Sequence, residues 1–402
     1  MKEKHTEILI VGAGIMGLTT ARELTQRGCK DILVIDKEPE PGRHASGRNS
    51  GVLHAGIYYA PDSLKAQSCL NGNRLMKAYC REKGLPLLET GKVVVARSEA
   101  ELTTLQTLYT RALANGARVS LISEKELARI EPNARTCRTA LLSLDTAVVD
   151  PKQILNRLRC DLERTGKVQF RFQTKFLGVE GNHRIRTSGG SISYDRLINT
   201  AGSGCELVAQ AFGLAFEYRM VPFKGIYYKL VPEKSHLVKG SIYPVPDIRN
   251  PFLGVHFTRN VHGDVYVGPT AIPAFGRENY GMISGIDAEA PRILVTDAAL
   301  FFTNPKFRSV ALTEPRKYFL PWFFKDAAAL VHSLAPEDLI SSPKVGIRPQ
   351  LVNWKTRELV MDFIMVRDRN TLHVLNPISP AFTSSMDLAK TIADRIESDY
   401  SI

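Results

Sequence analysis

The sequence predicts a mixed chain, α/β at its start and α+β overall, in which a domain of parallel strands and helices is interrupted by an inserted domain built on an antiparallel sheet. Three observations predict it. Residues 7–37 run apolar strand, glycine turn, amphipathic helix, apolar strand, the order of a βαβ unit. From about residue 205 to 340 the pattern changes to short β-rich runs with Pro, Gly and Tyr, then to helical spacing, which suits an antiparallel sheet with helices beside it. Near Lys344 the strand-like runs return, and the chain closes on a helix at 384–398.

With 402 residues the chain is too long for one ordinary core. The changes of pattern divide it into 1–85, 145–204 and 343–402 for the first domain, and 86–144 with 205–342 for the second. Hydrophobic residues make up 44% and charged residues 23%, as in soluble globular proteins. The formal charge of +12 favours an anionic partner. No dense basic run points to nucleic acid, so a small anion or an acidic membrane surface is the expected partner. Cys29, Cys69, Cys80, Cys137, Cys160 and Cys205 are scattered; without a paired spacing they read as reduced thiols, with no metal site. The start "MKEKHTEILIVG" leads its apolar run straight into a glycine turn and not into a cleavage site. A cytoplasmic protein is expected, with peripheral contact at the inner face of a membrane as an option.

In "EILIVGAGIMGLTTARELTQRG", Ile8 to Val11 suit a central parallel strand, and helical spacing follows through Ile15, Leu18, Ala21 and Leu24 to Gly28. Gly12 permits the tight turn, Gly14 lets a pyrophosphate approach the backbone, and Gly17 lets the helix lie close on the strand. The phosphate then meets the free N–H groups of the helix start. The second strand, "DILVIDK", ends in Asp36, nineteen residues after Gly17, where an acid binds adenosine ribose hydroxyls. The fold is therefore Rossmann-like and binds a dinucleotide.

FAD and NAD share that element, and the next segment separates them. "KEPEPGRHASGRNSGVLHAGIYY" is a polar, glycine-rich run placed where a flavin's pyrophosphate and ribityl chain would lie. Ser46, Arg48, Asn49 and Ser50 are its donors, and Gly47 and Gly51 allow close backbone approach. A helix follows at 62–83, capped by Asp62 or Ser63 and stopped at Gly84, then the strand "KVVVARS" at 92–98, helices at 98–116 and 150–166, and strands within 168–180.

"GRNSGVLHAGIYY", together with "ILIVGAGIMGLTTARELTQRG", resembles the L-2-hydroxyglutarate oxidase/dehydrogenase family within the wider D-amino-acid-oxidase-like flavoproteins. The resemblance continues through "INTAG", "FKGIYY", "IYPVPD", "FLGVHFTRNVHGDVYVGPTA", "VGIRPQLV" and "HVLNPISPAFTSS", and so covers nearly the whole chain. It implies a Rossmann-like FAD-binding domain with an inserted substrate domain, FAD held non-covalently, and oxidation of an L-2-hydroxy acid, first of all L-2-hydroxyglutarate. It also implies quinone or oxygen as electron acceptor. To the cofactor contacts it adds Ile15, Met16, Lys37, Arg43, Phe176, Ala201, Gly202, Gly346, Ile347, Ser379 and Thr383. The chain departs from the family pattern at Ile226, Pro349, the pair Pro377-Ile378 and Phe382, and the first and last of these bear on the substrate cavity.

Oxidising a 2-hydroxy acid requires a hydride acceptor, a base for the hydroxyl proton and an anchor for the carboxylate. His54, at the far end of the polar loop, is the expected base, with His256 as its rival. Arg348, in "VGIRPQ", is the expected anchor, because guanidinium binds carboxylate through two parallel hydrogen bonds. Tyr58, Tyr59, Lys224, Tyr243 and Arg259 are candidates for the second carboxylate. An amine or amino-acid oxidase on the same scaffold is the alternative, and a flavin-binding protein without turnover a second one. "RKYFLPWFFKDAAALVHSL", at 316–334, interleaves basic and aromatic residues and suits a helix lying in a membrane interface.

Overall fold

The computed structural model describes residues 4–248 and 252–398. The first three residues of the N-terminal stretch lie outside that range. Two compact units emerge, one of residues 1–48, 151–220 and 349–402, the other of residues 49–150 and 221–348. Residues 49–85 thus go with the second unit.

The first unit is built on a parallel sheet whose centre is the strand Lys4–Val11, paired with Gly190–Asn199 on one side and Ile32–Ile35 on the other. Val168–Arg171 extends it beyond Ile32–Ile35. Arg184–Thr187 and Phe176–Val179 form an antiparallel margin beyond Gly190–Asn199. Val11, Leu33, Ile35 and Leu197 share one apolar cluster, which is why these strands read as continuous hydrophobic runs. The helix Ile15–Gln26 packs against the closing helix Ala381–Glu397. Arg27 fastens that packing with ion pairs to Asp394 at 2.7 Å and Glu397 at 2.8 Å.

The second unit is dominated by a long sheet in the order Leu339–Asn353, Tyr218–Leu230, Val265–Gly268, His256–Arg259, Ser241–Pro244, Lys92–Val95, Thr139–Ser143, Val119–Ser123. The first two of these strands run on into the first unit. Its two faces carry two clusters. Val93, Val95, Ile242, Val255 and Phe257 belong to one, and Val94, Ala96, Tyr243 and Tyr58 to the other, as the two-residue period of a strand requires. A small separate sheet joins Val52–Leu53 and Leu87–Leu88 to Ala147–Val149.

Two local expectations change. The helix expected at 98–116 begins as a 3₁₀ turn at Glu99–Glu101 before the α-helix Leu102–Ala114. The segment 316–334 is not one helix: it divides into a 3₁₀ turn, Glu314–Tyr318, and the short helix Leu320–Ala328. Pro321 explains the restart, since proline suits the first turn of a helix and not its interior.

Candidate active site

In the first unit the nucleotide end is built around Gly12. Its φ is +108°, and a Cβ there would stand 2.5 Å from the Thr200 carbonyl oxygen, so only glycine fits. A Cβ on Gly17 would come within 1.9 Å of the Gly12 carbonyl oxygen. The helix can therefore lie this close to the turn only without a side chain at that position. Gly14 caps the helix without a side-chain hydrogen bond, while the N–H of Ile15 donates to Ser46 Oγ at 3.0 Å. Asp36 accepts from the N–H of Ala13 at 2.7 Å and of Glu38 at 2.9 Å. Two accepted bonds leave a carboxylate with further lone pairs for hydroxyl groups. A side-chain-free helix start and an acid at the end of the neighbouring strand are the donor and acceptor set an adenine dinucleotide requires. Gly12, Gly14, Gly17, Asp36 and Ser46 thus fit FAD.

The other expected cofactor contacts fall into three groups. Ile15 and Met16 are buried at the helix start, the N–H of Ala201 donates to Asn199 Oδ1 at 3.1 Å, and Gly202 follows with a φ of +57°. Arg48 donates from Nε to the Arg43 carbonyl at 2.7 Å. Thr383 is buried in the first turn of the closing helix, and Ser379, just before that turn, is exposed. Lys37 and Arg43 are exposed and pair with Glu38 and Glu40. Phe176 is occupied in packing, its ring stacked on Phe212 with centroids 6.2 Å apart. Asn376 acts as a pin: Oδ1 accepts from the N–H of Leu351, and Nδ2 donates to the carbonyls of Val360 and Asp362.

In the second unit the polar loop continues from Asn49, whose Oδ1 accepts from the N–H of Gly51 at 2.8 Å. Ser50 lies between them, half-buried. Residues 51–58 are all buried, so this is not a solvated surface turn. Asparagines hold it: Asn73 Nδ2 donates to the carbonyls of Leu53 and His54, and Asn115 Nδ2 to those of Gly56 and Tyr59.

The loop delivers His54 to a cluster drawn from distant parts of the chain. Tyr243 and His256 form a cross-strand pair with ring centroids 3.7 Å apart, tilted by 17°. They meet because both face the same side of neighbouring antiparallel strands. His256 Nδ1 lies 2.8 Å from the Gly254 carbonyl, which places the proton on Nδ1 and leaves Nε2 as an acceptor. Lys92 extends from the next strand. Its Nζ donates to Tyr58 Oη at 3.0 Å and lies 4.5 Å and 4.6 Å from the ring centroids of Tyr58 and Tyr243. Tyr59 packs edge-on to Tyr58. Arg348 lies over the Phe252 ring at 5.4 Å, and its buried Nε has no hydrogen-bond partner. On the same strand, Gly346 is half-buried and Ile347 is buried.

The electrostatics follow from burial. Desolvation lowers the His54 imidazole well below its ordinary range, and Lys92, His256 and Arg348 push it the same way. His256 is pushed down to about 3, Lys92 to about 7 and Arg348 to about 10, in each case chiefly by burial. The phenols of Tyr58 and Tyr243 are raised by burial and stay protonated. Two imidazoles, an amine and a guanidinium thus share a buried region, and no carboxylate is among the groups acting on them. Such a cluster suits a small anion whose proton is to be removed.

Lys224 and Arg259, expected to help with a second carboxylate, each also donate to backbone carbonyls. Lys224 Nζ donates to the Gly281 carbonyl at 2.6 Å, and Arg259 Nη1 to the carbonyls of Ser235 and Val238, both at 3.2 Å. Lys224 lines a different space, an apolar cavity of about 510 Å³ with Phe275, Met282, Asp297, Phe302 and Phe307. Both carboxyl oxygens of Asp297 are buried without a partner, and burial pushes the group up to about 7. Lys92 is what the sequence reading missed. The available signal was a lysine opening an otherwise all-valine strand.

A glycine-turn nucleotide cradle in one unit and a buried basic cluster in the other define the class, an FAD-dependent oxidoreductase. The family model for FAD dependent oxidoreductases (DAO) matches residues 7–395. The chain is 34% identical to human mitochondrial L-2-hydroxyglutarate dehydrogenase, covering 98% of this chain and 89% of that one. It is 36% identical to the L-2-hydroxyglutarate dehydrogenase of Indibacter alkaliphilus, over 96% and 98%. The chain belongs to the DAO family of FAD-dependent oxidoreductases and, within it, to the L-2-hydroxyglutarate dehydrogenases. Among solved structures, an FAD-bound L-α-glycerophosphate oxidase from Mycoplasma pneumoniae superposes with a TM-score of 0.78 at 22% identity, covering 98% of this chain and 95% of that one. Glycine oxidase from Geobacillus kaustophilus gives 0.73 at 17%, over 98% and 95%. Both share the fold.

Proposed function

We propose that the protein oxidises L-2-hydroxyglutarate to 2-oxoglutarate, with Arg348 holding the C1 carboxylate and His54 accepting the hydroxyl proton. The observation that carries this is the buried set of His54, Lys92, His256 and Arg348 with no acid acting on them. Arg348 offers a guanidinium that stays charged at neutral pH even after burial. His54 is neutral in this surrounding, and only a neutral imidazole can take a proton. A bound anion offsets the neighbouring positive charge and raises the basicity of His54 as the substrate arrives. His256 donates its Nδ1 proton to Gly254 and stacks its ring on Tyr243; its part in this reading is to hold the substrate's environment in shape. FAD, when bound, supplies the hydride acceptor.

Anaerobic addition of L-2-hydroxyglutarate to the FAD-loaded protein is expected to bleach the flavin band at once, and the D form to leave it unchanged. A band bleached by an amino acid instead, or by nothing, sinks this reading.

Bound FAD would give the substrate's electrons a route to a quinone or to oxygen, and this transfer is placed at a membrane surface. What supports contact with lipid is the distribution of apolar side chains. Of the exposed large hydrophobics among the described residues, Phe275, Met282, Ile283, Ile286, Leu294, Val295, Phe302, Leu312, Phe319 and Trp322 all lie within one stretch of 48 residues. Arg308 and Arg316 are exposed in the same stretch and Lys325 just beyond it, as interfacial binding to acidic lipid requires. The protein is expected to co-sediment with phosphatidylserine vesicles, and Phe302→Glu with Phe319→Glu to lower the bound fraction roughly tenfold. Equal sedimentation of parent and variant removes the docking face. No helix among the described residues is long and apolar enough to cross a membrane.

A further inference from the structure

Lys92 begins the strand Lys92–Val95, whose four side chains are all buried. The lysine itself is 1% exposed. Its neighbours on either side explain where the side chain goes. Val93 and Val95 face one apolar cluster, so Lys92 must share the opposite face with Val94, Tyr243 and Tyr58. There the ammonium rests between two tyrosine rings and donates to one phenol.

A buried lysine is ordinarily paired with a carboxylate, because an isolated ammonium out of water is costly. The titratable and charged groups around this one come from every segment that builds the cluster. They are His54 and Tyr58 on the loop, Cys69 on the helix Leu64–Lys83, Tyr243 on the neighbouring strand and His256 on the one beyond it, and Arg348 on Leu339–Asn353. None is an acid. Two rings compensate in part, since each aromatic face attracts a cation. They do not replace a counter-ion.

We propose that Lys92 is a specificity-determining residue, the cation that balances the second carboxylate of a dicarboxylate substrate and takes up a proton from solvent as the dianion enters. This rests on the dicarboxylate reading given above. Arg348 answers one negative charge, and with Lys92 neutral the site carries one positive charge against two negative ones. Uptake of one proton by the amine closes that difference, and no bond other than N–H is made or broken. The amine's position near pH 7 makes the uptake measurable, because at pH 8 most of the free protein carries it neutral.

The test is calorimetric titration of the FAD-loaded full chain at pH 8, in two buffers of different ionisation enthalpy, with glutarate and with butyrate. Neither ligand has a hydroxyl group to oxidise. The parent protein is expected to bind glutarate with uptake of about one proton and butyrate with markedly less. Lys92→Met is expected to weaken glutarate roughly tenfold or more, to move butyrate less than about twofold, and to abolish the proton uptake. Lys92→Arg keeps the charge without titrating, so it should bind glutarate near the parent affinity with no uptake. A folded Lys92→Met protein that binds glutarate as the parent does and still takes up a proton overturns the role of Lys92 alone. If Lys92→Met does not fold, a full proton taken up by Lys92→Arg overturns it equally. A parent protein that binds butyrate as tightly as glutarate overturns both the dicarboxylate reading and the role built on it.

Discussion

Replacing His54 by alanine is expected to lower kcat for L-2-hydroxyglutarate by about 10²–10⁴-fold, the usual worth of a positioned general base. The histidine is buried on a loop whose backbone is pinned by Asn73, and burial with three positively charged or basic neighbours keeps it neutral. Its loss removes the proton acceptor and leaves the carboxylate anchor in place. FAD content and glutarate affinity should therefore stay within about threefold of the parent while kcat falls. The measurement is steady-state turnover with an artificial acceptor, across pH. His256→Ala should fall much less, because in this reading that ring holds the site's shape by stacking on Tyr243 and takes no proton from the substrate. If the two variants exchange behaviours, the base is His256. If His54→Ala turns over within threefold of the parent, the reaction does not need a base for a hydroxyl group, and an amine is the better substrate.

Arg348→Met is expected to raise KM for L-2-hydroxyglutarate by about 10²-fold or more, from the 2–5 kcal/mol that truncating one side of a buried charge pair costs. The Nε of Arg348 is buried with no partner among the described residues, so its donor is available to a ligand and expensive to leave alone. Lysine should not rescue the loss. An ammonium cannot donate two parallel bonds to a carboxylate, and burial already draws even the guanidinium down to about 10; an amine in that place would lose its charge more readily. A variant with unchanged KM would assign the anchoring to Lys92 or to the tyrosines.

The nucleotide end was legible because its constraint is local. Gly12, Gly17 and Asp36 answer to steric limits that hold wherever a strand, a turn and a helix meet in this order. The loop at 51–58 was legible as something unusual, and its burial follows from asparagines at positions 73 and 115 that no local pattern ties to it. Lys92 was the harder case. A lysine at the head of a valine strand looks like an edge residue, and only the pairing of that strand between Ser241–Pro244 and Thr139–Ser143 puts its side chain inside. Lys224 and Arg259 have the chemistry for a carboxylate, and the fold also sets them to donate to the carbonyls of Gly281 and of Ser235 and Val238, which no local pattern foretells. Long-range pairing decides such cases, and one sequence does not reveal it.

The uncompensated groups Asp297 and Lys92 also shape how firmly the chain holds its fold as acidity changes. Asp297 is raised from 3.8 to about 7 in the native state. The folded chain therefore keeps a proton that the unfolded chain releases, and stability falls as pH rises across that window. Lys92 is lowered from 10.5 to about 7. Here the unfolded chain keeps the proton longer, and stability rises again as pH climbs from about 7 towards 10.5. Each slope approaches about 1.4 kcal/mol per pH unit in the middle of its range. Taken by themselves the two groups set opposite slopes on either side of neutrality, while the depressed imidazoles of His256 and His373 raise stability as pH climbs from about 3 or 4 towards 6.5.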